Sequence, residues 1–123
     1  MTALDSRAVL TGVLLLCAAL TGVLTGALGR PLNVAASSVH KLFSLASAVF
    51  CVLLALDVVK ARAGGTGMVV LAFAAGALLL GLLVTGGLLS FDTFASRPLR
   101  GVHAVLPFLT FAGAAAFAYL GVR

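Results

Sequence analysis

The sequence predicts an all-α fold: an integral membrane four-helix bundle built from two parallel repeats of a helix pair. Three observations lead there. The chain is 63% hydrophobic and 9% charged, with a mean hydropathy of +1.27, whereas an ordinary soluble domain carries about 25% charged residues. Its apolar residues form four long continuous runs, not the short alternating segments of a membrane β-barrel. Short motifs also recur in the same order in the two halves. Since a helix needs about 20 apolar residues to cross the hydrocarbon, 123 residues hold four spans and short loops, a single transmembrane domain over 1–123.

The runs take the expected lengths. The first, Ala8 to Leu28, stops at Gly29-Arg30-Pro31, where proline cannot donate to a helix. The second, Ala36 to Val59, ends at the basic, glycine-containing stretch Lys60 to Gly65. The third, Met68 to Ser90, gives way to the polar segment Asp92 to Arg100, and the fourth runs from Gly101 to Val122. Arg7 before the first run, with Gly26, Ala27 and Gly29 after it, gives that run the flanks of a secretory signal. It exceeds the usual core of about 7–15 residues, so a retained helix is expected. Leu16 before Cys17 argues against a lipidated cysteine, because a small residue belongs there. Cys17 and Cys51 fall inside spans, where thiols act as small apolar groups.

Charge gives no orientation. The N-terminus, middle loop and C-terminus share one side and carry Arg7, Lys60, Arg62 and Arg123; the other side carries Arg30, Lys41, Arg97 and Arg100. Four cations oppose four, so the positive-inside rule has no preference and dual topology is open. The net charge of +5 suits anionic headgroups at both rims, and nothing in the pattern points to nucleic acid.

The repeat centres on the two histidines of the chain. Thr25-Gly26-Ala27-Leu28 precedes Arg30-Pro31-Leu32 and Val39-His40, while Thr85-Gly86-Gly87-Leu88 precedes Arg97-Pro98-Leu99 and Val102-His103. Two helices per half make the copies enter in the same direction, so the second and fourth helices become equivalent. His40 and His103 then lie at one depth. Imidazoles are the commonest side-chain metal ligands, and two are too few for a closed zinc site of four ligands. A porphyrin supplying four equatorial nitrogens fits the ligand number.

The surroundings fit that ligand. Ala36, Ser44, Ser47 and Cys51 follow the His40 face at helical steps, and Pro107, Thr110 and Ala114 follow that of His103, leaving compact faces beside bulky Phe43, Phe50, Phe108 and Phe111. Arg100 stands one turn before His103, and Lys41, Arg30 and Arg97 share its rim, where they suit the propionates of a haem. Interfacial snorkelling is the commoner use of such cations. Ser37 or a helix carbonyl is placed to accept the second ring N–H of His40 and fix its tautomer. Gly22 and Gly26 form a small-xxx-small step on the first helix, and Gly76, Gly81, Gly86 and Gly87 thin the third, for close packing or a homo-oligomer.

Thr-Gly-x-Leu, a rim, then histidine near the start of a helix, duplicated over four spans, resembles the small membrane-bound b-type cytochromes. The resemblance covers most of the chain through short motifs. It implies one haem b held by His40 and His103, with Arg100, Lys41, Ser44 and Thr110 around it, and electron transfer with quinone or a redox partner in a bacterial inner membrane. Deeper positions on the same helices, Val52 to Leu54 and Ala115 to Phe117, hold no histidine for a second haem. Ser38-Val39-His40-Lys41 is also similar in part to the membrane anchors of succinate dehydrogenase, although Lys41 replaces their arginine and no Thr-Gly follows.

The alternative is a small dual-topology transporter or ion channel without cofactor. Gly26 to Arg30 and Ser90 to Phe94 resemble segments of bacterial fluoride channels, but Asn33 precedes its span and Asp92 falls in a loop. Multidrug exporters of this size need a carboxylate inside the membrane, and Asp5, Asp57 and Asp92 all lie near span ends. No Walker loop, His-Glu-x-x-His or Cys-x-x-Cys occurs, which favours an electron carrier over a catalyst.

Overall fold

The computed structural model describes residues 3–61 and 65–121, with backbone alone at 3–5, 58, 61 and 117–121. Arg62, Val122 and Arg123 lie outside the described residues. The described chain is all-helical: α1 (Ala3–Ala27), α2 (Val34–Ala61), α3 (Gly65–Leu89), a short 3₁₀ turn (Asp92–Phe94) and α4 (Arg97–Gly121). All four α-helices are long and apolar enough to cross a membrane, over Ser6–Ala27, Val34–Asp57, Gly65–Leu89 and Arg97–Ala116.

Local chemistry sets the ends. At the end of α1, Gly29 takes a left-handed φ of 76° and its amide bonds the Gly26 carbonyl at 3.2 Å, a conformation glycine adopts without a Cβ clash. Asn33 then caps α2: its Oδ1 accepts from the Ala36 amide at 3.0 Å and its carbonyl from the Ser37 amide at 2.9 Å. Ser96 does the same for α4, its carbonyl accepting from the Arg100 amide at 3.1 Å. Arg100, expected at the end of a loop, therefore lies in the first turn of α4. The apolar run could not show this, because a capped first turn tolerates polar residues, and proline at Pro98 withdraws an amide that has no helical acceptor there. Pro107 is different. It sits inside α4 and removes one rung of the ladder.

The chain forms two compact units, 1–54 and 55–123. In the first, Thr11, Leu15, Ala18, Thr25, Ser37 and Ser47 are buried; in the second, Met68, Leu79 and Thr110 are. Large apolar side chains are widely exposed on all four helices, with Val23 at 73%, Phe73 at 77% and Phe108 at 75%. In water that surface would aggregate. Against lipid tails it costs nothing, which suits contact with a bilayer.

Side-chain hydroxyls along the helices turn back onto their own backbone. Thr11, Thr25, Ser44, Ser47, Ser90 and Thr110 each donate to the carbonyl four residues earlier, at 2.7–3.1 Å. Such bonds hide polar hydrogens that hydrocarbon cannot solvate. Asn33→Ala should cost about 1 kcal/mol through the lost cap, and Asn33→Asp should retain most of it. Thermal unfolding in detergent, followed by helical circular dichroism, measures both.

Candidate histidine sites

Each histidine docks against the helix that precedes it. His40, part-buried on α2, directs Nδ1 at the Ala18 carbonyl of α1, 2.9 Å away, with Thr21 Oγ1 at 3.4 Å. His103, part-buried on α4, directs Nδ1 at Thr85 Oγ1 of α3, 2.7 Å away. A glycine lies beneath each ring. A Cβ at Gly22 would stand 3.0 Å from His40 Cε1, and a Cβ at Gly86 would stand 3.0 Å from His103 Cε1. Any other residue there would make the ring give by a few tenths of an ångström, so glycine suits the close approach of each imidazole.

Proton counting fixes the tautomers. A carbonyl oxygen only accepts, so the hydrogen between Ala18 and His40 belongs to Nδ1. Thr85 has one hydroxyl hydrogen and donates it to the Gly81 carbonyl at 2.7 Å, with the Leu82 carbonyl at 3.2 Å. With that hydrogen on Gly81, the short contact with His103 takes its hydrogen from Nδ1. A neutral ring held in this way is the Nδ1–H tautomer, with its lone pair on Nε2. Of the two acceptors expected for His40, the helix carbonyl rather than Ser37 is the one used.

The Thr-Gly pair that meets His40 is not the expected one. The Thr-Gly pair serving His40 is Thr21-Gly22, not Thr25-Gly26, and a Cβ at Gly26 would meet nothing within 4 Å. Thr21 mirrors Thr85 in detail, donating to Cys17 at 2.7 Å and standing 3.1 Å from the Ala18 carbonyl. The sequence holds the signal that finds this pair: Gly12, Leu14 to Leu16, Thr21-Gly22 and Leu24 recur at identical spacing as Gly76, Leu78 to Leu80, Thr85-Gly86 and Leu88. Aligning on Arg-Pro-Leu hid it, because the two connecting loops differ in length.

The other expected site residues fall as follows. Ser44, four residues after His40, gives its hydroxyl to the His40 carbonyl at 2.8 Å. Thr110, seven after His103, is 2% exposed and donates to Leu106, while Ser47, seven after His40, is 1% exposed and donates to Phe43. A buried hydroxyl thus lies two turns beyond each imidazole. Lys41 is exposed, and exposed Arg100 directs its guanidinium to the Ala95 carbonyl at 2.9 Å. Among the described residues, no three of His, Cys, Asp and Glu gather as a metal site.

No protein-family model, curated protein or solved structure matches this chain. The glycine contacts give a signed expectation. Gly22→Ala and Gly86→Ala should each destabilise by about 1–3 kcal/mol through overpacking against a ring, whereas Gly26→Ala should be neutral or stabilising by up to about 1 kcal/mol. Unfolding midpoints in detergent separate the two groups.

Proposed function

We propose that the protein is a membrane b-type cytochrome in which His40 and His103 are the axial ligands of one haem b. The observation that supports this reading is a shared contact: each Nδ1 faces an oxygen of the preceding helix, the arrangement that makes Nε2 the basic nitrogen, as axial ligation requires. The donor set fits. Two neutral imidazoles complete the coordination of an iron whose macrocycle fills four positions, and the cradles at Gly22 and Gly86 restrain ring rotation, which preorganises each ligand.

Bound haem supplies a one-electron couple, set by its axial ligands, hydrogen bonding and burial. The chain's own residues do the rest. Ala18 and Thr85 accept the ring protons at Nδ1, which makes Nε2 the ligating nitrogen. Lys41 and Arg100 offer cations to carboxylates at the rim, and Ser44 and Thr110, their hydroxyls committed to carbonyls, present compact side chains along the ligand faces.

The matched pairs Thr21-Gly22 with His40 and Thr85-Gly86 with His103 support a duplicated helix pair, and we read the halves as parallel repeats. The role that follows is electron transfer with quinone or a redox protein in a bacterial inner membrane.

The visible spectrum of protein purified after haem supplementation tests this. One haem per chain is expected, with a Soret band and a sharp α band on reduction, both lost or converted to a high-spin form in His40→Ala and in His103→Ala. A colourless protein that passes ions or drugs through liposomes would instead establish the transporter reading.

A further inference from the structure

Between the third and fourth spans, four residues follow one another at a constant spacing of three: Phe91, Phe94, Arg97 and Arg100. All four are exposed, Phe91 at 62% and Phe94 at 55%. The phenylalanines stand at the two ends of the 3₁₀ turn, a spacing at which side chains overlie one another, and the arginines are neighbours on the first turn of α4. The turn is held by its own backbone, with the Phe94 amide donating to the Phe91 carbonyl at 3.1 Å and the Ala95 amide to that of Asp92 at 3.3 Å. Arg100 folds back onto it, donating one N–H to the Ala95 carbonyl at 2.9 Å and keeping the rest of its fork. One apolar span ends at Leu89 and the next begins at Arg97, so in a bilayer this segment meets the headgroup layer. Helix stability does not account for the arginines. The first turn of α4 holds no acidic residue, and cations there oppose the helix dipole.

We propose that Phe91, Phe94, Arg97 and Arg100 form a docking surface for an anionic phospholipid, the rings entering the acyl boundary and the guanidinium groups holding the phosphate. The two chemistries are complementary. A guanidinium presents a planar fork that matches phosphate oxygens, and it is more weakly hydrated than an ammonium. A lipid is favoured over a soluble anion because the cations stand beside exposed rings: free phosphate makes no use of two phenylalanines, whereas a phospholipid joins its phosphate to hydrocarbon. Selection of net negative headgroups follows from the local charge, since two arginines outnumber Asp92, the one acid between Ser90 and Arg100. The connection between α1 and α2, Leu28 to Asn33, holds one arginine and no aromatic residue, so it lacks this pattern.

The chain contains no tryptophan, so Phe94→Trp supplies a single indole at the surface, open to quenching by brominated lipid. The protein is reconstituted in phosphatidylcholine vesicles with brominated phosphatidylglycerol, or with brominated phosphatidylcholine at the same mole fraction. Fluorescence relative to unbrominated vesicles then gives the relative occupancy of the two lipids. Phosphatidylglycerol should be favoured about fivefold, the scale of one cation near the surface. Combining Arg97→Gln with Arg100→Gln should bring the ratio close to one. Phe91→Trp repeats the measurement from the other end of the turn should the first substitution disturb folding.

Equal quenching by the two lipids overturns the inference. So does a preference that persists in the doubly substituted chain, because other cations of the rim would then be its source. A preference abolished by millimolar inorganic phosphate at constant ionic strength assigns the arginines to a soluble anion and overturns the lipid as occupant. Arg100 is also the cation offered to a carboxylate in the proposed function, so the measurement uses the chain without haem. Arg97→Gln, at a residue that function does not use, should lower the preference by itself, and the lipid surface therefore stands or falls separately from the cytochrome reading.

Discussion

A polar hydrogen inside hydrocarbon has no water to fall back on, and that constraint organises this protein. Six hydroxyls along the helices answer it locally, by donating one turn back to their own backbone. The imidazoles answer it across a helix pair, and so convert a solvation problem into a tertiary contact. Each ring ties the entry of one helix to the far end of the helix before it, through an acceptor and a nearby glycine. With little hydrophobic drive between helices in lipid, such bonds and close packing are what remain to hold a pair together.

The same contact serves structure and chemistry at once. Holding Nδ1–H against an oxygen satisfies a donor, and it also decides which nitrogen is basic. A purely structural histidine could be tethered through either nitrogen. Both rings use the same one, above matched Thr-Gly pairs. The two contacts share a Thr-Gly pair and differ in the acceptor, a backbone carbonyl for His40 and a hydroxyl for His103.

Fold class was legible from composition and run length, because span number follows from how many residues hydrocarbon demands. The places of His40 and His103 near the starts of α2 and α4 were legible too. Less accessible was the partner of each ring. Two Thr-Gly pairs follow one another in α1, at Thr21-Gly22 and Thr25-Gly26, and the second lies nearer the loop motif. Loop length varies freely while helical register does not, so a loop anchor selected the wrong pair. The start of α4 escaped for a related reason: Ser96 and Pro98 define it through capping, which hydropathy does not register.

Pro107 stands four residues after His103, at the place that Ser44 occupies after His40. Where Ser44 adds a hydroxyl bond to the His40 carbonyl, proline brings no amide to the ladder at all. Helices bend where rungs are missing. The part of α4 that carries His103 therefore precedes a missing rung, whereas His40 lies on a helix with no internal proline.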